Sequence, residues 1–274
     1  ALLNNNCNKI TNGENWIMNI LCLSDLHLKR IWVAEALTEG KLAPFIEQIK
    51  TLFLLVKVDA VVITGDTVQS DMIRYLNALL RTFIPESMPV IVTLGNHEFW
   101  MHSFEDTLET LKLQTIADPD IHYLDLSGGI IIDGVNFVGG TLFFDGSMRW
   151  KENQEIAPWE GWNDRCIFDI EKRYKEINRY YVDMIKSKMK PGMPTVLCTH
   201  HVPHHKLNGH EPGHYSFYCG MHDLISELPF DPLYTNSIIC GHTHRRIVGD
   251  VLPGFQSVNV GSDYNRLGYF FMEV

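Results

Sequence analysis

Short apolar runs recur along the chain, and most end in a polar turn that holds glycine, aspartate or histidine. The runs Asn19–Leu23, Asp59–Ile63 and Val90–Leu94 are too short and too rich in β-branched residues for helices and predict buried strands. Between them the period lengthens. Phe45, Ile49, Leu52 and Val56 recur at helical spacing, and Pro44 suits a first helical position, which predicts a helix over 44–56. The stretch between the first strand and Pro44 reads as a loop. Ser70 is placed as an N-cap for a helix over 72–83, closed by Pro85 and Pro89. Ser103, with Asp106 three residues on, predicts the start of a helix reaching Leu113. Alternation of strand and helix in this order implies a parallel sheet covered on both faces.

The pattern then changes. Ile121–Leu124, Gly129–Ile132 and Val135–Val138 are short strands, the last two joined by Asp133-Gly134, a hairpin turn signal. A charge-rich helix is expected from Arg165 to Met189, stopped by Pro191-Gly192. Further strands are expected at Thr195–Cys198, Ser237–Cys240, 247–250, 256–260 and 269–274. No repeat or low-complexity linker is visible. The expected architecture is α/β, a four-layer α-β-β-α sandwich of two mixed β-sheets flanked by helices. One domain is expected over 16–274, preceded by a disordered extension or cloning remnant at 1–15, with Met18 a possible natural start.

With 274 residues, 45% of them hydrophobic and 20% charged, the chain can bury a full core. A formal charge of −10 argues against a broad nucleic-acid or anionic-membrane footprint. It leaves room for a small phosphorylated substrate, because bound cations reverse the local field. No apolar stretch is long enough to span a bilayer. The six cysteines form no CxxC pair, and Cys22, Cys198 and Cys240 sit within strand-like runs as small hydrophobes, so a cytoplasmic location is expected.

The chemistry collects at the ends of the strands. Asp25-Leu26-His27, Gly65-Asp66, Gly95-Asn96-His97-Glu98, Thr199-His200-His201 and Gly241-His242-Thr243-His244 each follow an apolar run, the place where α/β sheets hold ligands. Carboxylate, amide and imidazole without thiolate suit borderline divalent metals rather than a structural zinc knot. Any one of these segments alone is weak, since a lone loop histidine is more often merely solvated. Together, and in this order, they resemble the calcineurin-like metallophosphoesterase superfamily, in a bacterial or phage-type member.

That resemblance implies two divalent ions, Mn, Fe, Zn or Ni. One would be held by Asp25, His27 and His244, the other by Asn96, His200 and His242, with Asp66 bridging both. Two such ions, roughly 3.5–4 Å apart, acidify a water and polarise a phosphoryl group. The implied reaction is attack of metal-bound hydroxide on a phosphomonoester or phosphodiester, with His97 as general acid and Asp66 as the second catalytic residue. Glu98 either orients His97 or finishes the turn. The protein-phosphatase branch carries an aspartate three residues after the bridging one; here that position is Gln69, which puts a histidine–aspartate dyad in doubt.

Around these motifs the reading stays open. His201 and His204 are candidates to face the phosphate, at the start of a histidine-rich stretch over 201–214. His210 and His214 form either a third metal site or, more simply, a polar loop. Arg245 and Arg246 either fork onto a substrate oxygen or remain surface charges. Gly140–Asp145 and Trp162-Asn163-Asp164 resemble segments of some bacterial and phage-type members of the superfamily, with no role assigned to them, and Trp150, Trp159 and Trp162 form an aromatic wall or plain packing. The expected partner is a small phosphorylated substrate, with no membrane and with nucleic acid less favoured. The alternatives are a nuclease acting on DNA ends or single strands, and a non-catalytic interaction scaffold.

Overall fold

The computed structural model describes residues 17–41, 43–150, 161–264 and 266–274, so the 1–15 segment and Trp159 lie outside the described residues. In chain order the elements begin with strand β1 (Asn19–Leu23), helices α1 (Arg30–Glu39) and α2 (Pro44–Leu55), strand β2 (Ala60–Thr64) and helix α3 (Leu76–Arg81). Strand β3 (Val90–Thr93), helices α4 (Asn96–Phe99) and α5 (Phe104–Ala117), strand β4 (Ile121–Tyr123) and helix α6 (Leu124–Ser127) follow. The hairpin β5 (Gly129–Ile132) and β6 (Val135–Gly140) precedes helix α7 (Ile170–Lys188). Strands β7 (Thr195–Thr199), β8 (Asn236–Cys240), β9 (Ile247–Asp250), β10 (Phe255–Asn259) and β11 (Tyr269–Glu273) complete the chain.

They form two mixed sheets. One runs β11-β1-β2-β3-β4 and the other β5-β6-β7-β8-β10-β9. β1 to β4 are parallel with β11 antiparallel at the edge, while β6, β7, β8 and β10 are parallel between the antiparallel edges β5 and β9. Because side chains alternate across a strand, each central strand serves two cores. Ile20, Cys22, Val62, Ile91, Phe137, Val196, Cys198, Ile239 and Val258 meet between the sheets. Leu21, Leu23, Val61, Ile63, Val138, Leu197 and Ile238 point the other way, into a core shared with helix residues such as Val33, Ile46, Leu80, Ile177 and Ile185. Two sheets back to back with helices outside are thus the expected α/β sandwich, and Cys22, Cys198 and Cys240 are the small buried hydrophobes expected of them.

Several boundaries differ from the sequence reading. The stretch read as a loop contains α1, which buries only Val33 and Ala36 and begins at Lys29 without a side-chain cap. Ser70 does not cap a helix; it opens a 3₁₀ turn, Ser70–Tyr75, that leads into α3. The helix expected from Arg165 starts at Ile170, because Asn163–Cys166 coils into its own 3₁₀ turn and Asp169 takes a left-handed backbone. Ser103 does cap α5, its Oγ accepting the Asp106 N–H at 3.1 Å. At the β5–β6 hairpin, Asp133 and Gly134 both have positive φ, 47° and 83°, as a two-residue primed turn requires.

Candidate metal centre

β1, β2 and β3 lie side by side in one sheet and β7 and β8 side by side in the other, so the loops leaving their C-terminal ends converge. Main-chain bonds lock these loops together: Asp25 N–H to Gly65 O at 3.0 Å, His27 N–H to Asp66 O at 2.8 Å, and Gly241 N–H to His200 O at 3.0 Å. The fit is close enough to exclude side chains at two glycines. A Cβ at Gly95 would collide with the Asp66 carboxylate, and one at Gly241 with Ser24 and Asp25. The turns themselves are sharp: Asp25, His27, Asp66, His242 and His244 all hold positive φ, between 43° and 72°. This left-handed region is disfavoured for residues with a side chain, though Asp and His enter it more readily than most.

Asp66 occupies the centre. Its Oδ2 lies 3.6 Å from His27 Nε2, and its Oδ1 lies 3.5 Å from His200 Nε2. On the His27 side, His27 Nε2 is 3.3 Å from His244 Nε2, and Asp25, His27 and His244 form one compact donor group. On the His200 side, Asn96 Oδ1 lies 3.0 Å from His200 Nε2 and 3.2 Å from His242 Nδ1. The far nitrogens of the rings are tied down. His200 Nδ1 meets Thr64 O at 2.8 Å, His242 Nε2 meets Tyr218 O at 3.1 Å, and His244 Nδ1 meets Ser262 O at 2.7 Å. A carbonyl can only accept, so in each ring that nitrogen carries the proton and the inner one presents a lone pair, the usual outer support of a metal ligand.

Electrostatics agree with that arrangement. Burial drives His27 down to about 2, and drives His200 and His242 far below the ordinary imidazole range, with neighbouring imidazoles adding to the effect. These rings are therefore neutral and ready to donate. Burial also pushes Asp25 up to about 6, and burial followed by the charges of Glu98 and Asp25 pushes Asp66 well up. The groups within ion-pair distance of Asp66 are imidazoles held neutral, so this buried carboxylate has no fixed countercharge among the described residues. Divalent cations would supply it. The donor set, two carboxylates, an amide oxygen and four imidazoles, fits such ions.

His97 adjoins this centre. Its N–H donates to Asp66 Oδ1 at 3.0 Å, its Nε2 is 3.6 Å from Asp66 Oδ2, and its ring stacks on Trp100 with centroids 3.6 Å apart. Burial, aided by His244, lowers it to about 4. Gln69 provides no carboxylate to it. Glu98 does not orient it either. Glu98 is buried and accepts four main-chain N–H groups, from Asp66 at 3.1 Å, Thr67 at 2.7 Å, Val68 at 2.9 Å and Gly95 at 2.8 Å.

A cavity of about 650 Å³ opens beside His242 and His244, walled by Trp162, Tyr215 and Tyr264, with His210, His214 and Arg245 around it. Tyr264 stacks on His244 at 4.9 Å and packs at a tilt against His27 at 4.6 Å while remaining 58% exposed. Of the candidates for substrate contact, Arg245 lines this cavity. Arg246 instead lies over Phe270 at 6.0 Å. His201 is fully buried and does not line this cavity; its Nδ1 lies beside Thr141 O at 3.3 Å and its ring against His242 at 4.1 Å, grouped with the His200 and His242 nitrogens. His204 is buried and does not line this cavity; it accepts the Lys206 N–H at 3.2 Å and stacks on His205. Trp162 belongs to the wall, whereas Trp150 is exposed. His210 bonds Thr243 O at 2.7 Å and joins no three-residue ligand group among the described residues.

Sequence reasoning assigned no role to several supports. Asp164 accepts bonds from Asn96, Trp100 and Trp162; Tyr264 covers two imidazoles; Thr64, Tyr218 and Ser262 hold the rings by their carbonyls. Carbonyl supports leave no mark in sequence.

The sequence model of the calcineurin-like phosphoesterase family matches residues 18–246. Among solved structures, phosphopantetheinyl hydrolase (PptH) from Mycobacterium tuberculosis is similar with a TM-score of 0.61 at 16% identity, over 90% of this chain and 89% of that one. TT1561 of Thermus thermophilus is similar with a TM-score of 0.51 at 13% identity, over 90% of each chain. At such identities the likeness concerns the fold. No curated protein matches the sequence.

Proposed function

The chain belongs to the calcineurin-like phosphoesterase family, and from that premise we propose that it uses two divalent cations to hydrolyse a small phosphomonoester or phosphodiester. The observation that supports this reading best is the position of Asp66, one oxygen 3.6 Å from His27 and the other 3.5 Å from His200. Asp25, His27 and His244 would hold one ion and Asn96, His200 and His242 the other, with Asp66 shared. Ions of the Mn, Fe, Zn or Ni kind suit this mixed oxygen and nitrogen set. Bound there, they would supply an activated water and offset charge on the phosphoryl oxygens.

The remaining steps fall to the chain itself. His97 reaches the rim of the centre and donates a proton to the leaving oxygen. Burial leaves its ring neutral in the free protein, and an arriving phosphate dianion supplies the negative charge that favours its protonated form. The cavity beside His242 and His244 takes the organic part of the substrate, with aromatic faces for apolar surface and Arg245 for a further anionic oxygen. Its volume of about 650 Å³ suits a small substrate. Among the described residues no helix is long and apolar enough to cross a membrane.

The test is hydrolysis of p-nitrophenyl phosphate and bis-p-nitrophenyl phosphate by chelator-treated protein resupplied with Mn²⁺. Turnover should return with the ion and vanish in Asp66→Asn. Wild type inert toward both esters with every ion of the series would overturn the reading.

A further inference from the structure

Asp164 lies outside the residues that would hold cations, yet it touches three parts of the site at once. It sits on the Asn163–Cys166 turn, which main-chain bonds dock on the segment after α4: Met101 N–H to Cys166 O at 3.1 Å and Phe168 N–H to His102 O at 3.0 Å. Its buried carboxylate accepts from Asn96 Nδ2 at 2.7 Å and Trp100 Nε1 at 2.9 Å through Oδ1, and from Trp162 Nε1 at 2.8 Å through Oδ2. An indole N–H and an amide NH₂ can only donate, and an ionised carboxylate can only accept, so the three bonds leave one consistent arrangement.

We propose that Asp164 is a positioning residue for hydrolysis: it fixes the Asn96 amide with its oxygen toward the cation position and anchors Trp100 against His97. The inference rests on Asn96 as a ligand and His97 as the proton donor. An asparagine amide is nearly symmetric in shape, so only its hydrogen bonds decide which end faces where. With Asp164 behind it, the NH₂ end is drawn away from the centre. The Oδ1 end then faces His200 Nε2 at 3.0 Å and His242 Nδ1 at 3.2 Å. A reversed amide would set oxygen against the Asp164 carboxylate and N–H groups against the cation. The negative charge behind the NH₂ group also polarises the amide and makes its neutral oxygen a better ligand. Trp100, held by its indole N–H, covers the face of His97 at 3.6 Å and restricts the angle of that ring.

The test compares wild type with Asp164→Ala, Asp164→Asn and Trp100→Phe as full chains, with folding checked by circular dichroism. Mn²⁺ affinity is measured by calorimetry, and kcat with p-nitrophenyl phosphate and with a more activated dinitrophenyl phosphate. Asp164→Ala should bind Mn²⁺ about 10–100-fold more weakly and lose more kcat on the poorer leaving group. Trp100→Phe should keep Mn²⁺ affinity and show only the leaving-group effect. If Asp164→Ala does not fold, Asp164→Asn, whose amide cannot satisfy all three donors, should show the same two changes at smaller size. Folded Asp164 variants with unaltered Mn²⁺ affinity and unaltered leaving-group dependence would overturn the inference alone. Wild type that neither binds Mn²⁺ nor cleaves either ester would overturn the proposed function beneath it.

Discussion

Glu98 accepts the main-chain N–H of Asp66 at 3.1 Å, so the carboxylate of the third motif fixes the loop of the second. Three more N–H groups, of Thr67, Val68 and Gly95, converge on the same side chain. In Glu98→Gln, whichever way the amide turns, its NH₂ faces two of these donors. Each buried N–H left without an acceptor costs about 1–3 kcal/mol. Urea denaturation should show a loss of that order, and Mn²⁺ affinity should fall as Asp66 shifts. Unchanged stability would mean that the loop is held by something else.

Removing the His97 imidazole should separate binding from chemistry. His97→Ala should retain Mn²⁺ binding while kcat with p-nitrophenyl phosphate falls about 10²–10⁴-fold, the usual worth of a general acid. A dinitrophenyl ester, whose leaving group needs little protonation, should suffer much less. Equal losses on both esters would rule out proton donation by this ring.

Glycine at position 95 is required by space rather than by backbone angle. A Cβ there strikes the Asp66 carboxylate, whereas one at Gly249 meets nothing nearby. Gly95→Ala should therefore lose Mn²⁺ stoichiometry, measured by elemental analysis, and Gly249→Ala should keep it. Full occupancy in Gly95→Ala would show that Asp66 is not held where the cations sit.

Cation binding should stabilise the fold more at high pH. Burial raises Asp25 to about 6, above its value in the unfolded chain, so in cation-free protein its contribution is lost as pH rises from about 4 through 6. A cation reverses this by displacing the proton, because ligands bind in their deprotonated form. The rise in Tm on adding Mn²⁺ should be larger at pH 8 than at pH 5. A pH-independent rise would contradict the role of Asp25.

The legible features of this chain were those set by neighbours in sequence. Alternating strand faces, the Ser103 cap and the Asp133-Gly134 turn follow from a few adjacent residues, and so do the ligand motifs at strand ends. Helix α1 escaped because its apolar face is thin: Val33 and Ala36 are buried while Ile31 is exposed. His201 was read as a substrate contact, but its fully buried ring packs against Phe143 and His242, which neighbours in sequence do not reveal. Asp164 was given no role because two of its three partners, Asn96 and Trp100, come from a turn distant in sequence. The segment Trp162-Asn163-Asp164 was its one trace in the sequence.

The left-handed turns at the strand ends have a consequence for anyone who evolves or redesigns this protein. Five ligand positions hold a conformation that glycine adopts freely and that costs other residues about 1–2 kcal/mol apiece. Replacing His27 or His244 by glycine relieves that strain. Selection for heat resistance in chelated medium will therefore drift toward inert chains, and ions must be present throughout if activity is to survive the screen.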